Sequence, residues 1–149
     1  AAINATMLFL NAEEHPHADI THIVNRYETK HIPISEKSMD LSLETPIFLL
    51  VGPYTASGAE IFASTLQHYQ RATVIGQTTT GKGTVQSLIP LGDGSMIKLT
   101  TAYFTTPSGE DINKKGVRPD YLIDTSNDLV LKQTQGIIHH LLNTTEDQI

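Results

Sequence analysis

Residues 47–61 have the sequence IFLLVGPYTASGAEI, and this stretch decides the fold class of the chain. Its first five residues are all apolar, which is typical of a short strand buried on both faces of a sheet. Gly52 and Pro53 then favour a turn, and Ser57 followed three residues later by Glu60 is typical of a helix start. The stretch therefore predicts a strand, a turn and a helix in immediate succession.

The rest of the chain continues this alternation of strands and helices. Apolar residues at helical spacing predict helices in residues 1–11, about 57–70 and about 128–142. Strands are expected in residues 19–34 as a pair, then in 72–76, 84–91, 95–104 and 121–124. A hairpin is expected at Gly92 to Gly94 and a polar surface loop in 35–44. The pattern predicts one α/β domain over residues 1–149.

Composition argues against several classes of function. The chain has 10 basic and 16 acidic side chains and a net charge of −6, so nucleic acid is not an expected partner. The absence of cysteine removes disulfides, thiol catalysis and thiolate metal sites. No apolar run approaches the roughly 20 residues of a membrane span. We therefore expect no membrane span in this chain.

Seven histidines raise the question of a metal site. His15, His17 and His22 lie close together in sequence, and His139 is next to His140. No His-Glu-x-x-His pattern is present, and adjacent residues on a helix do not face one another. Structural or exposed histidines are the favoured interpretation, and the sequence predicts neither a metal nor a cofactor.

Ser57 and Lys82 form the candidate catalytic pair. A serine hydroxyl becomes a good nucleophile when a neighbouring base removes its proton, and a neutral lysine amine can be that base. Each residue also has a structural explanation, because Ser57 and Glu60 match a capping box and Lys82 lies between two glycines in a turn.

A catalytic pair would place two conditions on Lys82. Its amine should lie within about 4 Å of the Ser57 hydroxyl, because the base takes the proton directly. It should also be largely buried and have no carboxylate partner, since burial favours the neutral amine and a carboxylate favours the charged one.

A phosphate-binding loop is a competing interpretation of Lys82. Residues 76–83 match such a loop at both glycines and at the lysine. Gly83, however, stands where the loop needs Ser or Thr to hold magnesium. Residues 84–90 are rich in strand formers and end in proline, which predicts a strand where the loop must open a helix. Nucleotide binding is therefore a minor hypothesis.

Ordered blocks of sequence resemble the carboxyl-terminal processing (tail-specific) proteases, which are serine peptidases with a Ser/Lys dyad. These blocks are residues 55–61, 71–76, 80–86, 99–103, 106–109 and 116–120. The resemblance is dense from about Pro46 to Asp124 and looser from residue 1. It implies a ClpP/crotonase-like fold, an α/β layered spiral of short sheets and helices, without a metal or cofactor.

The resemblance implies roles for four residues. Ser57 would be the nucleophile, Lys82 the general base, Gln86 the residue that orients the lysine, and the backbone N–H of Gly58 an oxyanion donor. A helix that starts at Ser57 agrees with these roles, because its positive end stabilises a developing oxyanion. Gln86 follows Lys82 by four residues, so the two share a face if the strand begins near the turn. Gly58 departs from the alanine usual in the family.

The chain lacks two further features of the family. The upstream strand ending in an Asn-Asn-Pro-Gly-Gly-like segment, which supplies a second oxyanion donor, is not in the sequence, and neither is the PDZ domain that binds the substrate tail. We therefore expect residues 1–149 to be an N-terminally truncated catalytic domain that is inactive, or nearly so, by itself. The open sheet edge makes a second copy of the chain a candidate partner.

The implied activity is cleavage of partly unfolded proteins near apolar C-termini through an acyl-enzyme. The resemblance also implies an extracytoplasmic location, in the bacterial periplasm or at the cell surface. The alternative function is that of a non-catalytic binding relative that keeps the fold without turnover.

Overall fold

The structure is a computed structural model that describes residues 2–10, 15–34, 45–123 and 127–146. Its helices are α1 (Ala2–Met7), α2 (Gly58–His68) and α3 (Asn127–Glu146). Its strands are β1 (Asp19–Val24), β2 (Thr29–Pro33), β3 (Phe48–Val51), β4 (Thr73–Gly76), β5 (Thr84–Pro90), β6 (Met96–Thr105) and β7 (Tyr121–Leu122). The predicted α/β class is confirmed, whereas the loop predicted at 35–44 and the predicted strand end at Asp124 lie outside the described residues.

The seven described strands form two small sheets. The first is antiparallel, with the strand order β2-β1-β6-β5, and it contains the predicted strand pair around residues 25–28 and the predicted hairpin around residues 92–94. The second is parallel, with the strand order β3-β4-β7. No helix in the described part of the chain is long and apolar enough to cross a membrane.

The interpretation of β3 as a strand buried on both faces is wrong. Leu50 is 49% exposed, and Val51 is the one buried residue of the strand. The reason is its position, because β3 forms an edge of the parallel sheet among the described strands and Leu50 lines an open cavity. The continuous apolar run thus predicted the strand correctly but predicted more burial of its side chains than the structure has.

The main core lies where α2 packs against α1 and the start of β1. Leu66 of α2 is fully buried and clusters with Leu10 and Ile20. Partly buried aromatic side chains surround them, and the rings of Phe9 and Phe62 meet edge to face at 5.5 Å. This packing fixes α2, and therefore the N-terminal end of α2, relative to both sheets.

Gly76 brings the chain segment after β4 close to the end of β3. It pairs with Val51 in parallel register and has a φ of 132°, a conformation that L side chains rarely adopt. A Cβ at this position would stand 2.0 Å from the Val51 carbonyl oxygen. The next residue, Gln77, donates its N–H to the same oxygen at 3.0 Å. Glycine is therefore required where the two strands end side by side.

Gly58, the first residue of α2, is also confined by its surroundings. A Cβ added there would lie 2.8 Å from the Cβ of Ala2 in α1, so the close contact between the two helices favours glycine at this position. We predict that Gly58→Ala lowers the free energy of unfolding by about 1–3 kcal/mol through overpacking. Chemical denaturation measures this change.

Gly136→Ala is the matched control, because a Cβ at this exposed position in α3 would meet nothing within 4 Å. The same substitution should there raise the free energy of unfolding by about 0.5–1 kcal/mol. Equal effects of the two substitutions would contradict the account of the contact between α1 and α2.

Candidate active site

Ser57 occupies a strained turn at the start of α2. Its φ of 58° and ψ of −119° lie outside the regions that non-glycine residues normally adopt. Such a conformation costs on the order of 1–3 kcal/mol and persists where the surrounding structure enforces it, often at functional sites. The Ser57 side chain is half-buried. We call residues 52–57, which connect β3 to this helix, the serine turn.

The backbone N–H of Gly58 is free to bind an anion. None of the described residues accepts a hydrogen bond from it, whereas the next N–H groups of the helix bond to the carbonyls of Ala56 and Ser57. It also belongs to the first turn of α2, where the helix dipole is positive. The Gly58 N–H is thus unpartnered among the described residues, and its role as an oxyanion donor stays a prediction.

The carboxylate of Glu60 is completely buried and accepts four hydrogen bonds. Its Oε2 accepts from the backbone N–H of Ser57 at 2.7 Å and from that of Lys82 at 2.9 Å. Its Oε1 accepts from the Thr79 hydroxyl at 2.5 Å and from the Gly81 N–H at 2.6 Å. Glu60 therefore joins the start of α2 to the loop that follows β4.

This arrangement brings together two residues that lie 25 positions apart in the sequence. Because the N–H groups of Ser57 and Lys82 share one carboxylate oxygen, their backbone nitrogens lie within about 6 Å of each other. Sequence reasoning assigned Glu60 only a capping role. The bond to the Ser57 N–H fits that role, but the bonds to the lysine segment were not foreseen, since local spacing carries no signal for them.

Residues 77–83, which we call the lysine loop, are held on several sides. Thr79 donates its hydroxyl to Glu60 and accepts a hydrogen bond from the Val117 N–H at 2.7 Å. The Thr80 N–H donates to the Thr55 carbonyl at 2.9 Å, and the Gly81 carbonyl accepts from Lys114 at 2.8 Å. The backbone of the loop is thus fixed against both the serine turn and residues 114–117.

The alternative of a phosphate-binding loop does not fit the structure. Such a loop opens a helix whose N-terminus faces the phosphate. The lysine loop is followed instead by strand β5, which starts at Thr84. The segment therefore lacks the helix that nucleotide phosphates would require.

The predicted burial of the Lys82 side chain is wrong for this structure. The side chain is exposed, although both flanking residues, Gly81 and Gly83, are buried. The physical reason is that Glu60 binds only the backbone N–H of Lys82, which fixes the backbone without burying the side chain. The described residues contain no ion pair between this amine and a carboxylate, and no hydrogen bond between it and Ser57.

Gln86 lies on β5 and is also exposed. Lys82 precedes the strand, which begins only at Thr84, so it lies outside the regular alternation of side chains that includes Gln86. The shared face expected for the two side chains depended on a regular strand that starts near the turn. The assignment of Gln86 as the orienting residue stays a prediction.

A cavity of about 430 Å³ lies beside the serine turn, at the carboxyl ends of β3 and β4. Its lining is mostly apolar and consists of Leu50, Val51, Gly52, Pro53, Tyr54, Thr55, Gly76, Gln77, Ile123 and Val130. Open α/β sheets commonly bind ligands at this end of their strands. The cavity reaches the serine turn through Gly52, Pro53, Tyr54 and Thr55 and has room for an apolar side chain.

We predict that Glu60→Gln destabilises the chain by about 3 kcal/mol or more. The NH₂ group of glutamine would replace one accepting oxygen and face hydrogen-bond donors, and the charge-assisted bonds would be lost. Chemical denaturation measures the loss. Glu110→Gln is the control, since Glu110 is exposed, and it should change the free energy of unfolding by less than about 0.5 kcal/mol. Equal stability of the Glu60 variant and the unaltered chain would refute the anchoring role.

Comparison with known proteins assigns the family. Residues 2–123 match peptidase family S41. A carboxy-terminal-processing protease of Bartonella bacilliformis is 40% identical over 123 residues, which are 83% of this chain and 27% of that protein. The carboxyl-terminal-processing protease of Synechocystis is 39% identical over 109 residues, which are 73% of this chain and 25% of that protein. The chain thus spans about a quarter of the length of these relatives.

Solved structures give the same result. The photosystem II D1 C-terminal processing protease aligns with a TM-score of 0.70 and 32% identity, over 83% of this chain and 30% of that one. A putative S41 protease from Bacteroides fragilis aligns with a TM-score of 0.67 over 94% of this chain and 41% of that one, and at 14% identity it supports the fold alone. The predicted fold and family resemblance are confirmed: this chain belongs to peptidase family S41, the family of the C-terminal processing proteases.

Proposed function

We propose that this chain supplies the catalytic pair of a serine endopeptidase, with Ser57 as the nucleophile and Lys82 as the general base. The observation that carries the proposal is the shared Glu60 carboxylate, which holds the backbones of both residues side by side. Family membership and the strained backbone of Ser57 support the same assignment.

The proposed reaction has two halves. In the first, the neutral amine of Lys82 takes the Ser57 proton while the serine oxygen attacks a peptide carbonyl, and the resulting oxyanion accepts a hydrogen bond from the Gly58 N–H. The Lys82 ammonium then gives its proton to the leaving amine, which produces an acyl-enzyme. In the second half Lys82 activates water to release the acyl group. The amide oxygen of Gln86 would orient the amine by accepting a hydrogen bond.

The substrate that we propose is a partly unfolded protein, cleaved near an apolar C-terminus. The apolar cavity beside the serine turn supports this choice, since it can take an apolar side chain next to the reacting carbonyl. The names of the relatives, which describe C-terminal processing proteases, support cleavage near a chain end. An extracytoplasmic location is part of the same proposal.

Full activity requires more of the protein than these 149 residues. The exposed side chain of Lys82 supports this proposal, because a general base works best where the site excludes water. Among the described residues β3 is an edge strand, so its outer side can pair with a further strand beside the serine turn. In the complete protein, such a strand would cover the site and supply a second oxyanion donor.

The alternative function is non-catalytic binding of a peptide by the same cavity. The observation in its favour is that the described structure has no hydrogen bond between Ser57 and the amine of Lys82. The two functions differ in one property, because only the peptidase makes Ser57 reactive towards acylating or phosphonylating reagents.

We predict that Ser57→Ala and Lys82→Ala each reduce peptide hydrolysis by about 10⁴-fold or more in a longer protein that restores the upstream segment. Lys98→Ala, which removes an exposed lysine from β6, should leave the rate unchanged. Labelling of Ser57 by a fluorophosphonate, followed by mass spectrometry, should occur in the unaltered protein and fail in the Lys82 variant. Peptide binding without labelling would establish the non-catalytic alternative.

We further predict that the 149-residue chain hydrolyses an unfolded substrate at least about 10²–10³ times more slowly than the longer protein, which is the usual cost of losing one oxyanion donor. The two proteins should be assayed side by side on one substrate with an apolar C-terminus. Equal specific activities would show that Gly58 and the upstream segment have been assigned the wrong roles.

A further inference from the structure

A second cluster of reactive side chains lies on the antiparallel sheet, on different elements from the serine turn and the lysine loop. It consists of Asp19, His22 and His31, each of which offers one ligand atom within 4.8 Å of the others. The Oδ2 atom of Asp19 lies 3.2 Å from the Nε2 atom of His22 and 2.6 Å from the Nδ1 atom of His31. The two imidazole rings are 4.5 Å apart between centroids.

The backbone explains why these three residues converge. His22 and His31 are direct cross-strand partners in the antiparallel pair of β1 and β2, so their side chains lie on one face. Asp19 and His22 would lie on opposite faces of a regular strand, because side chains alternate. A register shift between Asp19 and Thr21 adds a residue and brings the carboxylate to the side of the two histidines.

We propose that Asp19, His22 and His31 bind a divalent transition-metal ion, with Zn²⁺ as the ion that fits best. Two imidazole nitrogens and one carboxylate oxygen are a ligand set that zinc uses in proteins, with water in the fourth position. Bonds of about 2.0–2.2 Å to a tetrahedral ion place the ligand atoms roughly 3.3–3.5 Å apart. The separation between Asp19 and His22 already matches this spacing, and that between Asp19 and His31 needs to open by less than about 1 Å.

The surroundings favour a preformed site with one adjustable ligand. The side chains of Asp19 and His22 are only 20% and 15% exposed, whereas His31 is 60% exposed and free to adjust its ring. The remaining nitrogen of His22, Nδ1, lies 3.3 Å from the hydroxyl of Thr105 on β6. Outer contacts of this kind orient metal-binding histidines and fix which nitrogen faces the metal.

The backbone of Asp19 is also held by Tyr69, the residue that follows α2. The phenol of Tyr69 donates a hydrogen bond to the Asp19 backbone carbonyl at 2.7 Å. The backbone that bears the Asp19 carboxylate is therefore fixed in place.

The ion would fasten the β1–β2 hairpin at the place where β1 pairs with β6. His22 is in register with Thr105, whose carbonyl accepts a hydrogen bond from the Thr21 hydroxyl at 2.6 Å. A metal ion at this point would link β1 to β2 beside the position where β1 already pairs with β6. This role is structural and independent of the proposed peptidase chemistry.

The test is calorimetric titration of the EDTA-treated 149-residue chain with ZnCl₂ at neutral pH. We expect one Zn²⁺ per chain and a visible d–d absorption band when Co²⁺ replaces zinc. His31→Gln should weaken binding by at least about tenfold, since the loss of a ligand costs no less than the loss of an outer contact. This variant changes an exposed residue, so circular dichroism should show an unaltered fold.

His68→Gln is the matched control, because His68 is exposed on α2 and lies outside the cluster. It should bind Zn²⁺ as the unaltered chain does. Zn²⁺ should also raise the melting temperature of the unaltered chain more than that of His31→Gln, since a ligand that binds only the folded state stabilises it. The proposal is overturned if the folded chain takes up no Zn²⁺, or if His31→Gln and the unaltered chain bind it equally well.

Discussion

The buried carboxylate of Glu60 is the interaction on which the candidate active site depends. Removing a carboxylate from water costs several kcal/mol unless hydrogen bonds replace its hydration. Glu60 obtains four such bonds, from three backbone N–H groups and one hydroxyl. No lysine or arginine forms an ion pair with it in the described part of the chain. The charge is therefore stabilised by dipoles alone, and each of these donors has to stay in place.

This requirement explains the shape of the site. The donors belong to the serine turn and the lysine loop, which leave the carboxyl ends of two adjacent parallel strands. Gly76 allows those strand ends to approach closely. Gly81, with a φ of 77°, allows the lysine loop to pass where an added Cβ would stand 2.8 Å from the backbone nitrogens of residues 115 and 116. Loops that leave adjacent parallel strands are common in α/β sheets. Here one acidic side chain in the first turn of α2 binds both loops and thereby holds the backbones of Ser57 and Lys82 side by side.

Local sequence patterns predicted the elements of this fold well. The strand, turn and helix of residues 47–61 and the hairpin of β5 and β6 follow from apolar periodicity and turn residues, which act over short distances. The same patterns could not give the exposure of Leu50 or of Lys82, because exposure depends on which strands and loops lie beside a residue in space.

The two polar clusters illustrate the same limit. Spacing in the sequence grouped His22 with His15 and His17. In the structure, strand register places His22 beside His31, and a β-bulge brings Asp19 to the same side. Glu60 was recognised as a capping residue because its bond to Ser57 is local. Its bonds to the lysine loop span about 20 residues, so they depend on the relative position of β3 and β4.

Native-state amide hydrogen exchange measured by NMR tests the central role of Glu60 most directly. The N–H groups of Ser57, Gly81 and Lys82 should exchange slowly, because each donates to a buried carboxylate, whereas the unpartnered Gly58 N–H should exchange rapidly. In Glu60→Gln, protection of the three amides should fall far more than protection of β4. Rapid exchange of Gly81 and Lys82 in the unaltered chain would contradict the account.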